Sequence, residues 1–274
     1  MELPSSSRHV ETLILGAGPT GLGAATRLHQ HKKSSWLMLD AAAEAGGLAC
    51  TDTTPEGFLF DMGGHVIFSH FLFFDELIET ALGGKGEDVW ATHERVSYVY
   101  LKKTYVPYPF QNNITALPLN DQIDCLNGLI EANKASNANA PPKTFDEWIL
   151  RVMGEGIANL FMRPYNYKVW AVPTTMMQCG WLGERVAVVS AAKVLENVLR
   201  QKTETSWGPN AVFRFPQKGG TGGIWKAVAK LLPAENQRYN AEVVSIDADE
   251  KKVQLADGGI VTYDKVLFES FITL

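Results

Sequence analysis

The chain has 274 residues, 46% of them hydrophobic and 20% charged, and a formal net charge of −5. These values fit a globular protein of one large or two modest domains, and the acidic balance excludes a general nucleic-acid surface. Cys50, Cys125 and Cys179 are too widely spaced for a disulfide framework or a metal pattern, so buried thiols, a reducing compartment and no bound metal are expected. Residues 1–7 lack the regions of a signal peptide, and no apolar run approaches the ~20 residues of a membrane span. A soluble, cytoplasmic chain is the expectation.

The stretch Leu13-Ile14-Leu15-Gly16-Ala17-Gly18-Pro19-Thr20-Gly21-Leu22-Gly23 reads as a buried strand, a glycine turn and the start of a helix. Gly16 permits the sharp turn, Gly18 lets a phosphate approach the backbone, and Gly21 lets the helix pack close to the strand. The helix points its unpaired N–H groups and the positive end of its dipole at any anion held there. A second apolar strand, Trp36 to Leu39, ends in Asp40, an acid placed to accept a ribose hydroxyl. Residues 8–40 therefore read as a βαβ unit that binds a dinucleotide.

Two more glycine pairs follow, in Ala45-Gly46-Gly47-Leu48-Ala49 and in Asp61-Met62-Gly63-Gly64-His65. A dehydrogenase pattern has no use for the first of them, which points to a further backbone segment lying against a longer cofactor. Phe71 to Leu82 reads as a helix, and Thr92 to Val106 as strands. In Val106-Pro107-Tyr108-Pro109-Phe110-Gln111, two prolines fix an extended backbone and leave Tyr108, Phe110 and Gln111 free to face a ligand. Two aromatic faces and an amide suit a pyrimidine base, and a plain turn packed on a core fits equally.

Residues 117–200 read as mostly helical, with Leu119 to Ala132 amphipathic and Thr144 capping a helix over Trp148 to Met153. Phe161 to Trp170 is dense in aromatics and cations, which fits a core helix with solvated charges as well as a binding face. Arg185 is either a bidentate diphosphate clamp or one half of a surface ion pair. Gly219 to Gly223 opens another helix without the ending of a Walker loop. Glu242 to Ile246 and Lys252 to Leu255 form a hairpin, and Ile260 to Phe268 a closing strand.

The glycine turn, the acid, Gly46-Gly47-Leu48-Ala49 and Asp61-Met62-Gly63-Gly64-His65 resemble the FAD-binding fold shared by amine oxidases and UDP-galactopyranose mutases. Gly-Gly-His followed by Val-Ile-Phe-Ser-His is closer to the eukaryotic, fungal-type mutases. The resemblance implies an α/β fold: a Rossmann-like, glutathione-reductase-type FAD domain with an inserted helical domain and a small antiparallel sheet. Its implied segments are 1–91 and 206–274 for the FAD domain, 92–116 for the strands and 117–205 for the helical domain.

The implied reaction interconverts UDP-galactopyranose and UDP-galactofuranose, with N5 of reduced FAD rather than a side chain as nucleophile. By the same resemblance Gly16, Gly18, Thr20, Gly21, Asp40, Gly46, Gly47, Leu48, Gly63, Gly64 and Val243 hold FAD, and His65 sits over its ring. Arg95 and Ser97 take NADPH as the reductant. Tyr108, Phe110, Gln111 and Phe161 hold uracil; Asn166, Trp170 and Arg185 hold ribose and diphosphate; Phe68 and Asn210 approach the sugar. His65 and Arg185 are the residues implied in catalysis.

Family members continue well past Phe268 and are homo-oligomeric, whereas the tail Glu269 to Leu274 departs from their pattern. A C-terminally incomplete, weakly active or inactive form is therefore expected. The alternatives are an amine-oxidase-like FAD oxidoreductase and a non-catalytic nucleotide-binding remnant.

Overall fold

The structure is a computed structural model that describes residues 7–67, 69–135, 141–183, 186, 188–204 and 212–269. Its first elements are β1 (Ser7–Leu15), α1 (Pro19–Gln30), β2 (Trp36–Leu39), β3 (Thr51–Thr53), β4 (Leu59–Asp61), α2 (Leu72–Leu82) and β5 (Trp90–Glu94). There follow β6 (Tyr98–Leu101), β7 (Thr104–Pro107), α3 (Leu119–Ala135), α4 (Phe145–Ile157), α5 (Arg163–Trp170) and α6 (Ala191–Arg200). The chain closes with β8 (Val212–Pro216), α7 (Gly220–Lys230), β9 (Gln237–Arg238), β10 (Val243–Asp247), β11 (Lys252–Leu255) and β12 (Ile260–Phe268). These elements divide into two compact units, residues 1–93 with 213–274 and residues 94–212.

The first unit is built on a six-stranded mixed sheet in the order β10-β11-β12-β1-β2-β9. β1 runs parallel to both β12 and β2, and the β10–β11–β12 edge is antiparallel. The central strands read as continuous apolar runs because a parallel sheet is covered on both faces. Alternation then sorts the side chains. Ile14, Trp36 and Met38 join Leu22, Ala25, Ile224 and Val228 of the helices in one core, while Leu13, Leu15, Leu37 and Leu39 join Val253, Leu255 and Val261 in the other. The βαβ unit, the α2 helix, the β10–β11 hairpin and the closing strand all stand where the sequence puts them.

The second unit contains the β6–β7 hairpin, which pairs Tyr98 with Pro107 and Tyr100 with Tyr105. Its turn residues Lys102 and Lys103 both take positive φ, 52° and 64°, the backbone that a two-residue hairpin of matching twist requires. α4 starts as the sequence indicates: Thr144 Oγ1 accepts from Glu147 N at 3.1 Å, and Glu147 Oε2 accepts from Lys143 N at 2.7 Å. α4 kinks at Gly154 (φ 74°, ψ 175°) and passes through a π-helical turn, Ala158–Met162, into α5. Among the described residues no helix is long and apolar enough to cross a membrane.

α3 and α4 approach so closely that a Cβ on Gly154 would lie 2.0 Å from the Gly128 carbonyl oxygen. Gly154→Ala should therefore cost about 2–5 kcal/mol, from the strained φ/ψ and overpacking together. Gly23→Ala on α1, where a Cβ meets nothing within 4 Å, should be neutral or stabilising by up to about 1 kcal/mol. Urea denaturation followed by tryptophan fluorescence separates the two, and an unchanged midpoint for Gly154→Ala contradicts the packing described.

Candidate functional site

In the first unit the glycine turn leaves β1 at Gly16 (φ 113°), whose N–H donates to Leu39 O at 2.8 Å. α1 begins after Gly18, which as N-cap has no side chain to offer, and its first turn contains no acid. A Cβ on Gly21 would stand 2.0 Å from Gly16 O, so the close strand–helix approach read from the sequence is present. The free N–H groups point at a carboxylate: Thr20 N donates to Glu269 Oε1 at 2.6 Å and Gly21 N to Glu269 Oε2 at 2.8 Å. A Cβ on Gly18 would be 2.6 Å from the same Oε1. The carboxylate oxygens stand in for phosphate oxygens, and the turn accepts them as an anion cradle should. The residues present therefore fit a dinucleotide diphosphate.

Asp40 lies half-buried at the end of β2. Its Oδ2 accepts from Ala17 N at 2.6 Å and its Oδ1 from Ala42 N at 2.7 Å, so it also pins the turn to the following loop. Each oxygen keeps a lone pair for a hydroxyl. Ala241 N, two residues before Val243, donates to Asp40 O. Gly46 N donates to Ala17 O at 2.9 Å, and a Cβ on Gly47 would lie 3.2 Å from Gly18 Cα. The second glycine pair thus packs on the first turn. Leu48 beyond it is 71% exposed.

Asp61 was not singled out by the sequence, yet it organises the third glycine pair. It accepts from Thr51 Oγ1 at 2.5 Å, Thr221 Oγ1 at 2.5 Å and Thr221 N at 3.1 Å. Burial pushes its pKa up, but the hydrogen bonds from Thr221 and Thr51, with a smaller contribution from the nearby His65 ring, outweigh burial and hold it below the ordinary value. The glycines at the start of α7 allow this contact, because Gly222 N donates to Thr51 Oγ1 at 2.8 Å and a Cβ on Gly220 would be 2.5 Å from that oxygen. Gly63 and Gly64 lie exposed beside it, and the buried Nδ1 of His65 has no hydrogen-bond partner among the described residues.

In the second unit Arg95 stacks its guanidinium 5.2 Å from the Tyr108 ring centroid and donates through Nε to Ser97 Oγ at 3.2 Å. Tyr108 N donates to Ser97 O. Burial first, and the neighbouring Tyr165 second, push the Tyr108 hydroxyl above its ordinary pKa, against the pull of Arg95. Phe110 stacks on Phe161 at 4.3 Å, and Phe161 on Tyr165 at 4.8 Å.

The expectation that Phe110 and Gln111 are free to face a ligand is corrected. Phe110 is fully buried and Gln111 is 3% exposed, because a 3₁₀ turn at Phe110–Asn112 directs them into the core of the unit. Asn166 is also buried and donates to Met162 O at 2.8 Å. Trp170 is half-exposed and meets Trp181 edge-on at 5.5 Å. Arg163 fixes this helix through two 2.7 Å bonds to Asp146, which also accepts from Thr174 Oγ1. Phe68, Arg185 and Asn210 lie outside the described residues.

Cys125 is buried and its thiol pushed up to about 12, chiefly by burial, so it offers no nucleophile near neutral pH. Among the described residues no group of three or more His, Cys, Asp or Glu side chains is placed to hold a metal ion.

Parallel strands β12-β1-β2-β9, a glycine turn that holds an anion and an acid at the end of β2 define a dinucleotide-binding domain. The chain belongs to the flavin containing amine oxidoreductase family, which it matches over residues 19–268. It is similar to reduced UDP-galactopyranose mutase, with 42% identity, a TM-score of 0.88 and coverage of 95% of this chain and 54% of that one. Putrescine oxidase bound to putrescine matches at 16% identity and a TM-score of 0.57, covering 96% and 58%. A fatty acid isomerase from P. acnes matches at 15% and 0.53, covering 95% and 59%. These last two share the fold alone. The chain spans about half the length of the solved structures it matches.

Asp61→Asn should lower stability at neutral pH by about 1–3 kcal/mol, the cost of leaving buried donors unpaired. Because the folded pKa is lowered, the wild-type contribution is present above the unfolded value of about 3.9 and is lost as pH falls through the folded value. Chemical melts from pH 7 to pH 3 should show a shallower acid limb in the variant, and parallel limbs contradict the role given to this carboxylate.

Proposed function

We propose that this chain carries the FAD-binding and uridine-binding parts of a UDP-galactopyranose mutase, which isomerises UDP-galactopyranose to UDP-galactofuranose. The reading rests above all on the 42% identity to that mutase over 95% of the chain. Gly16, Gly18, Thr20 and Gly21 would hold the FAD diphosphate and Asp40 a ribose, with Val243 toward the adenine end and Gly46, Gly47 and Leu48 completing the cofactor-binding set. The domain is then of the glutathione-reductase type with an inserted helical domain. When bound and reduced, FAD supplies the nucleophile for the anomeric carbon.

The protein's own residues bind and orient. The Asp61 node holds Gly63, Gly64 and His65 in place, and the His65 ring would sit over the flavin. Tyr108 offers a ring face to uracil. Phe110, Gln111 and Phe161 complete the uracil site beside it, the two phenylalanines stacked on each other. Asn166 and Trp170, with Arg185, serve the ribose and diphosphate, and Phe68 and Asn210 the sugar. Arg95 and Ser97 serve NADPH, the reductant.

Calorimetry with UDP provides the test. Tyr108→Ala should weaken UDP binding by about 1–3 kcal/mol, the worth of one base–aromatic stack, and leave FAD binding unchanged. Unchanged UDP binding in the variant, or none in the wild-type chain, would overturn the uridine assignment. Oxygen uptake with amines would favour an oxidase in its place.

A further inference from the structure

The carboxylate in the glycine cradle comes from a residue that the βαβ motif does not contain. Glu269 follows β12, and its own N–H donates to Leu15 O at 2.9 Å. That bond extends the β12–β1 pairing by one step and fixes the point from which the side chain starts. Each carboxylate oxygen then takes one of the two backbone donors at the start of α1, in the space above Gly18 that a Cβ would invade. Nothing local does this for the helix, which has neither an acid in its first turn nor a capping side chain. The group is an anion on the backbone donors that the strand–glycine-turn–helix motif offers to a phosphate.

We infer that Glu269 is an internal competitor for the cofactor's diphosphate. The inference rests on the proposal above that the cradle takes FAD. Loading exchanges one anion for another on the N–H groups of Thr20 and Gly21, and no covalent bond is made or broken. Rotation about the side-chain bonds of Glu269 clears the cradle while its N–H stays on Leu15 O. The apparent affinity for FAD is then the intrinsic affinity reduced by the fraction of time the cradle is open.

Titration calorimetry of FAD into the full chain, wild type beside Glu269→Gln and Glu269→Ala, reads this directly. The dissociation constant should fall about tenfold in the alanine variant, as for a cradle open one-tenth of the time. Glutamine, which keeps one acceptor oxygen and loses the charge, should fall between. ADP, a diphosphate without the flavin, should give the same ordering. The alanine variant without ligand should melt lower than wild type, since its helix end has lost its anion. If that variant does not fold, the glutamine variant carries the comparison. Equal FAD affinity in all three, or weaker binding in the variants, would overturn the competition and leave the cofactor assignment standing. No FAD uptake by any of the folded chains would overturn both.

Discussion

A helix that begins just after a strand, with only Gly16, Ala17 and Gly18 between, exposes backbone N–H groups that its own residues cannot satisfy. This constraint orders the first unit. The turn excludes side chains at Gly18 and Gly21, so the donors stay open to an anion from outside the helix. The neighbouring segments meet the same requirement. Asp40 ties the turn to the loop that follows β2, and Gly46 ties the next glycine pair back to Ala17. The result is a backbone surface whose open donors accept an anion, here the carboxylate of Glu269.

The Asp61 node solves a related problem at a second turn. Gly63 and Gly64 are exposed and carry no side chains to hold them. Three donors on Asp61 lock the end of β4 to the start of α7, and the glycines just beyond inherit a fixed position. The second unit works by packing. Its aromatic stack through Phe110, Phe161 and Tyr165 is buried or half-covered, and the Arg163–Asp146 pair braces the helices that carry it. Tyr165 at its outer end and Tyr108 both remain partly accessible.

Much of this was legible in the sequence, for identifiable reasons. Apolar runs of parallel strands, glycines at turns and a threonine cap are local signals, and the βαβ unit, the start of α4 and the closing hairpin all follow from them. Burial beyond a turn is not local. The Tyr108-Pro109-Phe110-Gln111 segment reads as a display of side chains, yet the 3₁₀ turn folds Phe110 and Gln111 inward, a choice made by the core they join. Glu269 was missed because its partners lie about 250 positions away, and Asp61 because Thr221, which ties it to α7, lies 160 away. For Asp61 a signal existed, since the acid stands two residues before the Gly63-Gly64 pair. Glu269 gave none.

The central claim is that the backbone N–H groups at the head of α1 receive the cofactor's diphosphate. Amide NMR of the labelled chain, titrated with FAD, observes those two groups individually. Saturation should shift the Thr20 and Gly21 amides among the most strongly affected in the protein. Binding of FAD that leaves both amides unmoved would contradict the account.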